Sequence, residues 1–240
     1  MSTAPLPRTR IKICGLTREQ DIDAAVEAGA DAVGFVMYPK SPRFISPGRA
    51  AELARRLPPF ITPVLLFVNE TPKTVLEACA RVPGCLAQFH GDETPELCEE
   101  SIGHGRLAYI RAARIPLDDT PFDLLKFASD YRRARAILLD AHVEGYGGAG
   151  KTFNWSQLPA NVNVHLVLSG GLTPANAGDG ILQVRPRCKS LAVDVSSGVE
   201  LDGPGNKGLK DPEKINRFVA AVRAADVLLA KSTHGLLSTT

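Results

Sequence analysis

The chain has 240 residues, 44% of them hydrophobic and 22% charged, with a formal net charge of +2. That balance suits a globular protein with a sizeable core and points to neither a nucleic-acid partner nor a membrane surface. No apolar run approaches the ~20 residues of a membrane helix, and residues 1–10 show no apolar signal-peptide core.

In chain order, Ile11-Lys12-Ile13-Cys14 is a short apolar strand stopped by Gly15. Glu19 to Ala28 reads as a helix with Ile22, Ala25 and Val26 on one face. Asp31 to Met37 is a second strand, and Pro47 opens a helix through Leu57. Val64–Val68, Leu86–His90, Leu107–Ala112, Ala136–Asp140, Val164–Ser169 and Leu191–Val195 supply six further strands. Helices are expected from Pro72 to about Ala80, near Pro95, and from Phe122 to Tyr131. The strands are apolar on nearly every residue, as in a parallel sheet buried on both faces. Alternating strands and helices without a linker predict an α/β fold, a single-domain (β/α)8 TIM barrel near the ~250 residues usual for it. An open doubly wound sheet is the lesser alternative. The barrel is expected over 11–226, with an N-terminal extension at 1–10 and a C-terminal tail at 227–240 left unassigned.

The five cysteines form no CxxC pair, so neither a disulfide framework nor a zinc site is expected; reduced thiols and a cytoplasmic location fit them best. In such barrels chemistry sits at the C-terminal ends of strands, and the loops after strands seven and eight often bind phosphate. Here those ends carry Ser169-Gly170-Gly171 and Ser196-Ser197-Gly198, small residues that let backbone N–H groups approach an anion. Ordinary βα turns are the alternative. The other strand-end candidates are Cys14, Arg43, Asn69, His90, Arg111, Asp140 and Asp194. Cys14 reads as a catalytic thiol or a small buried hydrophobe. Asp140, after Ile137-Leu138-Leu139, is expected to be desolvated on one side and so favoured as a protonated acid; a cap or an ion pair is the alternative. His90 suits a substrate contact or, better, a structural hydrogen bond, and Asn69 is most simply a turn residue. Gly145 to Thr152 matches the phosphate-loop pattern GxxxxGK[ST], but only about two helical turns fit before Pro159. A P-loop needs a substantial helix there, so a glycine-rich loop after strand six is preferred.

Nine segments in order resemble the phosphoribosylanthranilate isomerase family of tryptophan biosynthesis. They are Lys12-Ile13-Cys14-Gly15, Gly29 to Phe35, Ser41-Pro42-Arg43-Phe44, Phe67-Val68-Asn69, Gln88 to Glu93, Leu138-Leu139-Asp140, Gly147 to Phe153, Ser169 to Leu172 and Asp194 to Glu200. The resemblance implies an aldose–ketose isomerase running an Amadori rearrangement of N-(5-phosphoribosyl)anthranilate to 1-(2-carboxyphenylamino)-1-deoxyribulose 5-phosphate. It implies Cys14 as general base and Asp140 as general acid. It also implies Arg43 on the anthranilate carboxylate, Asp194 near the anilino nitrogen, and Gly170, Gly171, Ser196, Ser197 and Gly198 around the phosphate. The partner is a phosphorylated small molecule, with no metal or organic cofactor, in a monomer or homodimer. Positive charge or directed donors should face Cys14 to favour its thiolate, and Asp140 should sit in a drier pocket. Ala149 and Asn154 stand where the family more often has Thr and Asp. The rivals are the histidine-pathway isomerase of the same chemistry, which by resemblance would carry an aspartate at Cys14, and a non-catalytic phosphate sensor.

Overall fold

Ser46-Pro47, Thr71-Pro72 and Thr94-Pro95 each start a helix in the same way. The hydroxyl accepts a backbone N–H of the first turn, from Arg49 at 3.1 Å, Thr74 at 3.2 Å and Leu97 at 3.2 Å. The proline occupies a position whose N–H would have no partner in any case. These caps open α2 (Pro47–Ala54), α3 (Pro72–Arg81) and α4 (Pro95–Ser101). The computed structural model describes residues 8–118, 120–141 and 152–235.

The strands are β1 (Arg10–Cys14), β2 (Ala32–Val36), β3 (Thr62–Phe67), β4 (Leu86–Phe89), β5 (Tyr109–Ile115), β6 (Ala136–Ala141), β7 (His165–Leu168) and β8 (Ser190–Val195). All eight pair in parallel with their sequence neighbours, and β8 closes on β1 with Lys12 opposite Asp194. The result is the closed (β/α)8 barrel expected from the sequence. Its outer layer includes α1 (Glu19–Glu27), α5 (Leu124–Asp130), α6 (Ala177–Val184) and α7 (Pro212–Gly235). Between β6 and β7 the described residues hold only a 3-10 turn, Trp155–Gln157, far short of the helix a P-loop needs. The GxxxxGK pattern, with Ala149, otherwise lies outside the described residues.

Side chains of a strand alternate between faces, and here the alternation sorts the core into two. Ile110, Ala112, Leu138 and Val167 form a small cluster inside the barrel. Their alternates, such as Tyr109, Leu139 and Leu168, pack outward against the helices. Phe67, Phe89 and Tyr109 run through this outer layer, with Tyr109 edge-on to Phe89 at 5.5 Å. The even-numbered residues of β1, β4, β6 and β8 point inward. At their C-terminal ends these are Lys12, Cys14, Gln88, Asp140 and Asp194 rather than apolar residues.

Two boundaries differ from the sequence reading. The first strand begins at Arg10, inside the expected extension, and Thr9 is fully buried. The last helix runs unbroken across position 226 to Gly235. Asp226 joins the two ends, since its carboxylate accepts the Thr9 N–H at 3.0 Å and the Thr9 hydroxyl at 2.6 Å. No helix of the described residues is long and apolar enough to cross a membrane. Asp226→Ala strands both buried donors and is expected to lower stability by about 1–3 kcal/mol in urea unfolding, with the slope m unchanged.

Candidate active site

Cys14 ends β1, buried, beside the inward Lys12 two residues earlier on the same strand. Lys12 Nζ donates to Asp194 Oδ1 at 2.8 Å, a pair with both side chains almost fully buried. Gly34 on β2 makes room for the two side chains. A Cβ there would lie 2.6 Å from Cys14 Sγ and 3.1 Å from Lys12 Cε. Burial pushes the Cys14 thiol above its ordinary value; Lys12 and Lys210 pull it back only in part, and Asp194 adds to the rise. The cations expected to face Cys14 are therefore present, yet desolvation outweighs them and the thiol is favoured at rest. Burial also opposes the Lys12 charge, but Asp194 and Cys14 overcome it and its pKa is raised.

Asp140 lies one residue before the end of β6, its side chain 13% exposed. Its Oδ2 is 2.8 Å from His90 Nε2, and His90 Nδ1 is 3.0 Å from Gln88 Nε2. The carboxyl is thus hydrogen-bonded as well as part-buried. Gln88 Oε1 is buried without a partner among the described residues.

The loops after β7 and β8 meet backbone to backbone. Gly170 and Gly171 take φ of +76° and +65°, and a Cβ on Gly170 would fall 2.5 Å from the Ala141 nitrogen and 2.9 Å from Asp140 Oδ1. Glycine alone fits there. A Cβ on Gly198 would sit 1.9 Å from the Leu172 carbonyl oxygen. Ser197 and Gly198 open the 3-10 turn Ser197–Val199, so their N–H groups have no acceptor within the turn. The Ser196 hydroxyl donates to the Cys14 carbonyl at 3.0 Å, tying this loop to β1.

Arg43 comes from the loop after β2 and is buried. Its Nε donates to Glu200 Oε1 at 2.6 Å and Nη2 to Oε2 at 3.0 Å. Lys210, also fully buried, donates to Glu200 Oε1 at 3.0 Å and to the Ser196 carbonyl at 3.0 Å. Burial opposes the Glu200 charge, but Arg43 and Lys210 outweigh it and hold the carboxyl below its usual value. The expected fork of Arg43 thus has one edge already occupied inside the protein.

Two sequence candidates stand apart from this mouth. Arg111 turns outward, its guanidinium carbon 4.9 Å from the Tyr131 ring centre and its Nη1 on the Phe89 and Ala112 carbonyls. Asn69 is a turn residue with φ of +52°, accepting the Asp92 N–H at 2.7 Å. Lys12, Glu200 and Lys210 were not singled out from the sequence, although Lys12 and Glu200 stand inside the quoted segments. All five cysteines are free thiols.

The family model described as N-(5'phosphoribosyl)anthranilate (PRA) isomerase matches residues 11–221. The chain belongs to this family. It is 59% identical to the N-(5'-phosphoribosyl)anthranilate isomerase of Methylibium petroleiphilum, over 94% of this chain and 99% of that one. The fold superposes on phosphoribosyl anthranilate isomerase from Thermotoga maritima with a TM-score of 0.77 at 42% identity, covering 90% and 99% of the two chains. A further crystal structure of the family enzyme holds reduced 1-(o-carboxyphenylamino)-1-deoxyribulose 5-phosphate, and matches at TM-score 0.71 and 38% identity with the same coverage. This family member is an isomerase, with the barrel of its relatives.

The 1.9 Å approach at Gly198 sharpens what a substitution there does. Gly198→Ala already overlaps a backbone carbonyl that has no side chain to move. It is expected to cost about 1–3 kcal/mol in urea unfolding and to weaken binding of phosphate-bearing ligands. Gly178→Ala, with open space at its Cβ, serves as the control.

Proposed function

We propose that this isomerase converts N-(5-phosphoribosyl)anthranilate to 1-(2-carboxyphenylamino)-1-deoxyribulose 5-phosphate, with Asp140 as general acid and Cys14 as general base. The observation that carries the reading is the circular order of the barrel. Going round from β6 to β1, the strands are β6, β7, β8 and β1. The glycine-bearing loops of β7 and β8 therefore lie between the strand that carries Asp140 and the strand that carries Cys14. A phosphate held by the amides of Gly170, Gly171, Ser197 and Gly198 would hang its ribose between an acid on one side and a base on the other.

The chemistry follows from those positions. Asp140 gives its proton to the furanose ring oxygen. The C1′–O bond breaks, and the anilino nitrogen lone pair forms the C1′=N bond of a protonated Schiff base. Cys14, as thiolate, removes the C2′ proton; the C2′–H electrons make the C1′=C2′ bond, and those of C1′=N return to nitrogen. The enolamine then takes a proton at C1′ and releases the enol proton, leaving the ketose. No electrons enter or leave, so the residues need only move protons and hold the ligand.

The surroundings of both groups support these roles. With the Gln88 amide donating to His90 Nδ1, the His90 Nε2–H faces a carboxylate at Asp140. With that amide turned over, the bare Oε1 accepts from Nδ1–H and Nε2 faces a protonated Asp140. The two arrangements of the chain Gln88–His90–Asp140 match the acid after and before it delivers its proton. On the other side, a buried thiol close to Lys12 is a neutral resting group whose thiolate is stabilised where it forms. Asp194, fixed by Lys12, is assigned to the anilino nitrogen. The Nη1–Nη2 edge of Arg43 takes no hydrogen bond among the described residues and is the edge offered to the anthranilate carboxylate.

Turnover of synthesised substrate, followed by loss of its fluorescence, tests the pair. Cys14→Ala and Asp140→Asn are each expected to lose kcat by about 100-fold or more while substrate KM changes little. Wild-type rates for either variant remove that residue from its role. Lys12→Met tests the electrostatics. The base limb of kcat/KM requires Cys14 deprotonated, so activity rises with pH through the thiol pKa. Removing a cation that lowers this pKa moves the limb to higher pH, and Lys12→Arg restores it. A limb unmoved in Lys12→Met contradicts the role assigned to Lys12.

A further inference from the structure

The Arg43 guanidinium spends its Nε–Nη2 edge on Glu200 at 2.6 and 3.0 Å. Nothing else in the described residues fixes that fork. Gly15, at φ +77°, leaves the gap through which the Arg43 stem passes, since a Cβ there would meet Cδ at 2.5 Å. A flexible side chain crossing a glycine gap needs a stop, and Glu200 is that stop. Glu200 is in turn held by Lys210, which is wholly buried and donates to Glu200 Oε1 at 3.0 Å. The same ammonium donates to the Ser196 carbonyl at 3.0 Å and lies 3.3 Å from the Ser196 hydroxyl. One buried cation therefore touches both the carboxylate that aims Arg43 and the residue that begins the β8 loop.

We propose that Glu200 and Lys210 are positioning residues of the reaction, Glu200 presenting the Nη1–Nη2 edge of Arg43 to the substrate carboxylate and Lys210 tying that clamp to the phosphate loop. This rests on Arg43 as the carboxylate grip. Their arrangement matches what a two-ended ligand requires. The carboxylate and the phosphate are far apart on the substrate, and a single rigid cluster of buried charges sets the separation of the two groups that receive them. Charged clusters of this kind are costly to bury, so their worth lies in geometry rather than in stability. Glu200 acts through Arg43, and Lys210 acts through Glu200 and Ser196.

The test compares two ligands, the reduced product analogue and its counterpart lacking the ring carboxylate, by their dissociation constants. In Glu200→Gln the carboxylated ligand is expected to bind about 10- to 100-fold more weakly, and its counterpart to change little. Glu200→Asp keeps the charge and loses reach, so it gives a smaller loss of the same selectivity; it carries the test if the glutamine variant does not fold. Lys210→Met should weaken both ligands, because Ser196 loses its anchor too. In turnover, Glu200→Gln should raise KM far more than it lowers kcat. Equal losses for both ligands in Glu200→Gln and Glu200→Asp, or no loss, overturn the positioning role when Arg43→Ala remains selective for the carboxylate. If Arg43→Ala shows no selectivity, the carboxylate grip itself is wrong and Glu200 falls with it.

Discussion

The buried ion pair of Lys12 and Asp194 sits on the seam where the barrel closes, and much of the site depends on it. The two residues are opposite each other in the β1–β8 register, 2.8 Å apart and shielded from water. In that setting either charge alone is prohibitively unfavourable, and removing one partner of such a pair typically costs about 3–5 kcal/mol. The pair therefore fixes register, because a slip of either strand by one residue would turn its charge to the helix-covered face, away from its partner. The same register sets Cys14 one layer above, at the mouth. Closure of the sheet and placement of Cys14 are thus one event.

From that seam the site is assembled by loops that lean on one another. Ser196 donates to the Cys14 carbonyl, Gly170 lies against Asp140, and Gly198 presses on Leu172. The last two contacts need a missing side chain on one partner. This explains why glycines crowd the C-terminal face, where they let backbone reach backbone. Such close packing suits the phosphate site proposed for these loops, since preorganised donors cost no rearrangement.

The barrel was legible in the sequence because strands buried on both faces are apolar nearly throughout and Ser/Thr-Pro pairs announce the helices after β2, β3 and β4. What resisted was direction. Arg111 and Asp140 were both expected at strand ends, yet β5 runs on to Ile115, and alternation turns Arg111 outward under α5 and Asp140 into the mouth. Strand phase can be counted only once the register is known. Charge environment was hidden as well. A catalytic thiol called for positive charge or directed donors facing Cys14, but burial, a three-dimensional property, decides the sign of the thiol's shift. Glu200 and Lys210 lie 157 and 167 positions from Arg43, and no local pattern joins them. The continuous helix from Pro212 to Gly235 crosses the boundary expected at 226, where Asp226 meets Thr9 across 217 positions of sequence.

The central claim is that a phosphorylated sugar hangs from the β7 and β8 loops between Asp140 and Cys14. A crystal structure with the reduced product analogue tests it most directly. The account predicts the phosphate on the amides of Gly170, Gly171, Ser197 and Gly198, C2′ facing Cys14 Sγ, and the oxygen derived from the ribose ring nearest Asp140. A phosphate bound elsewhere on the barrel, or a sugar with Cys14 and Asp140 on the same side, would contradict it.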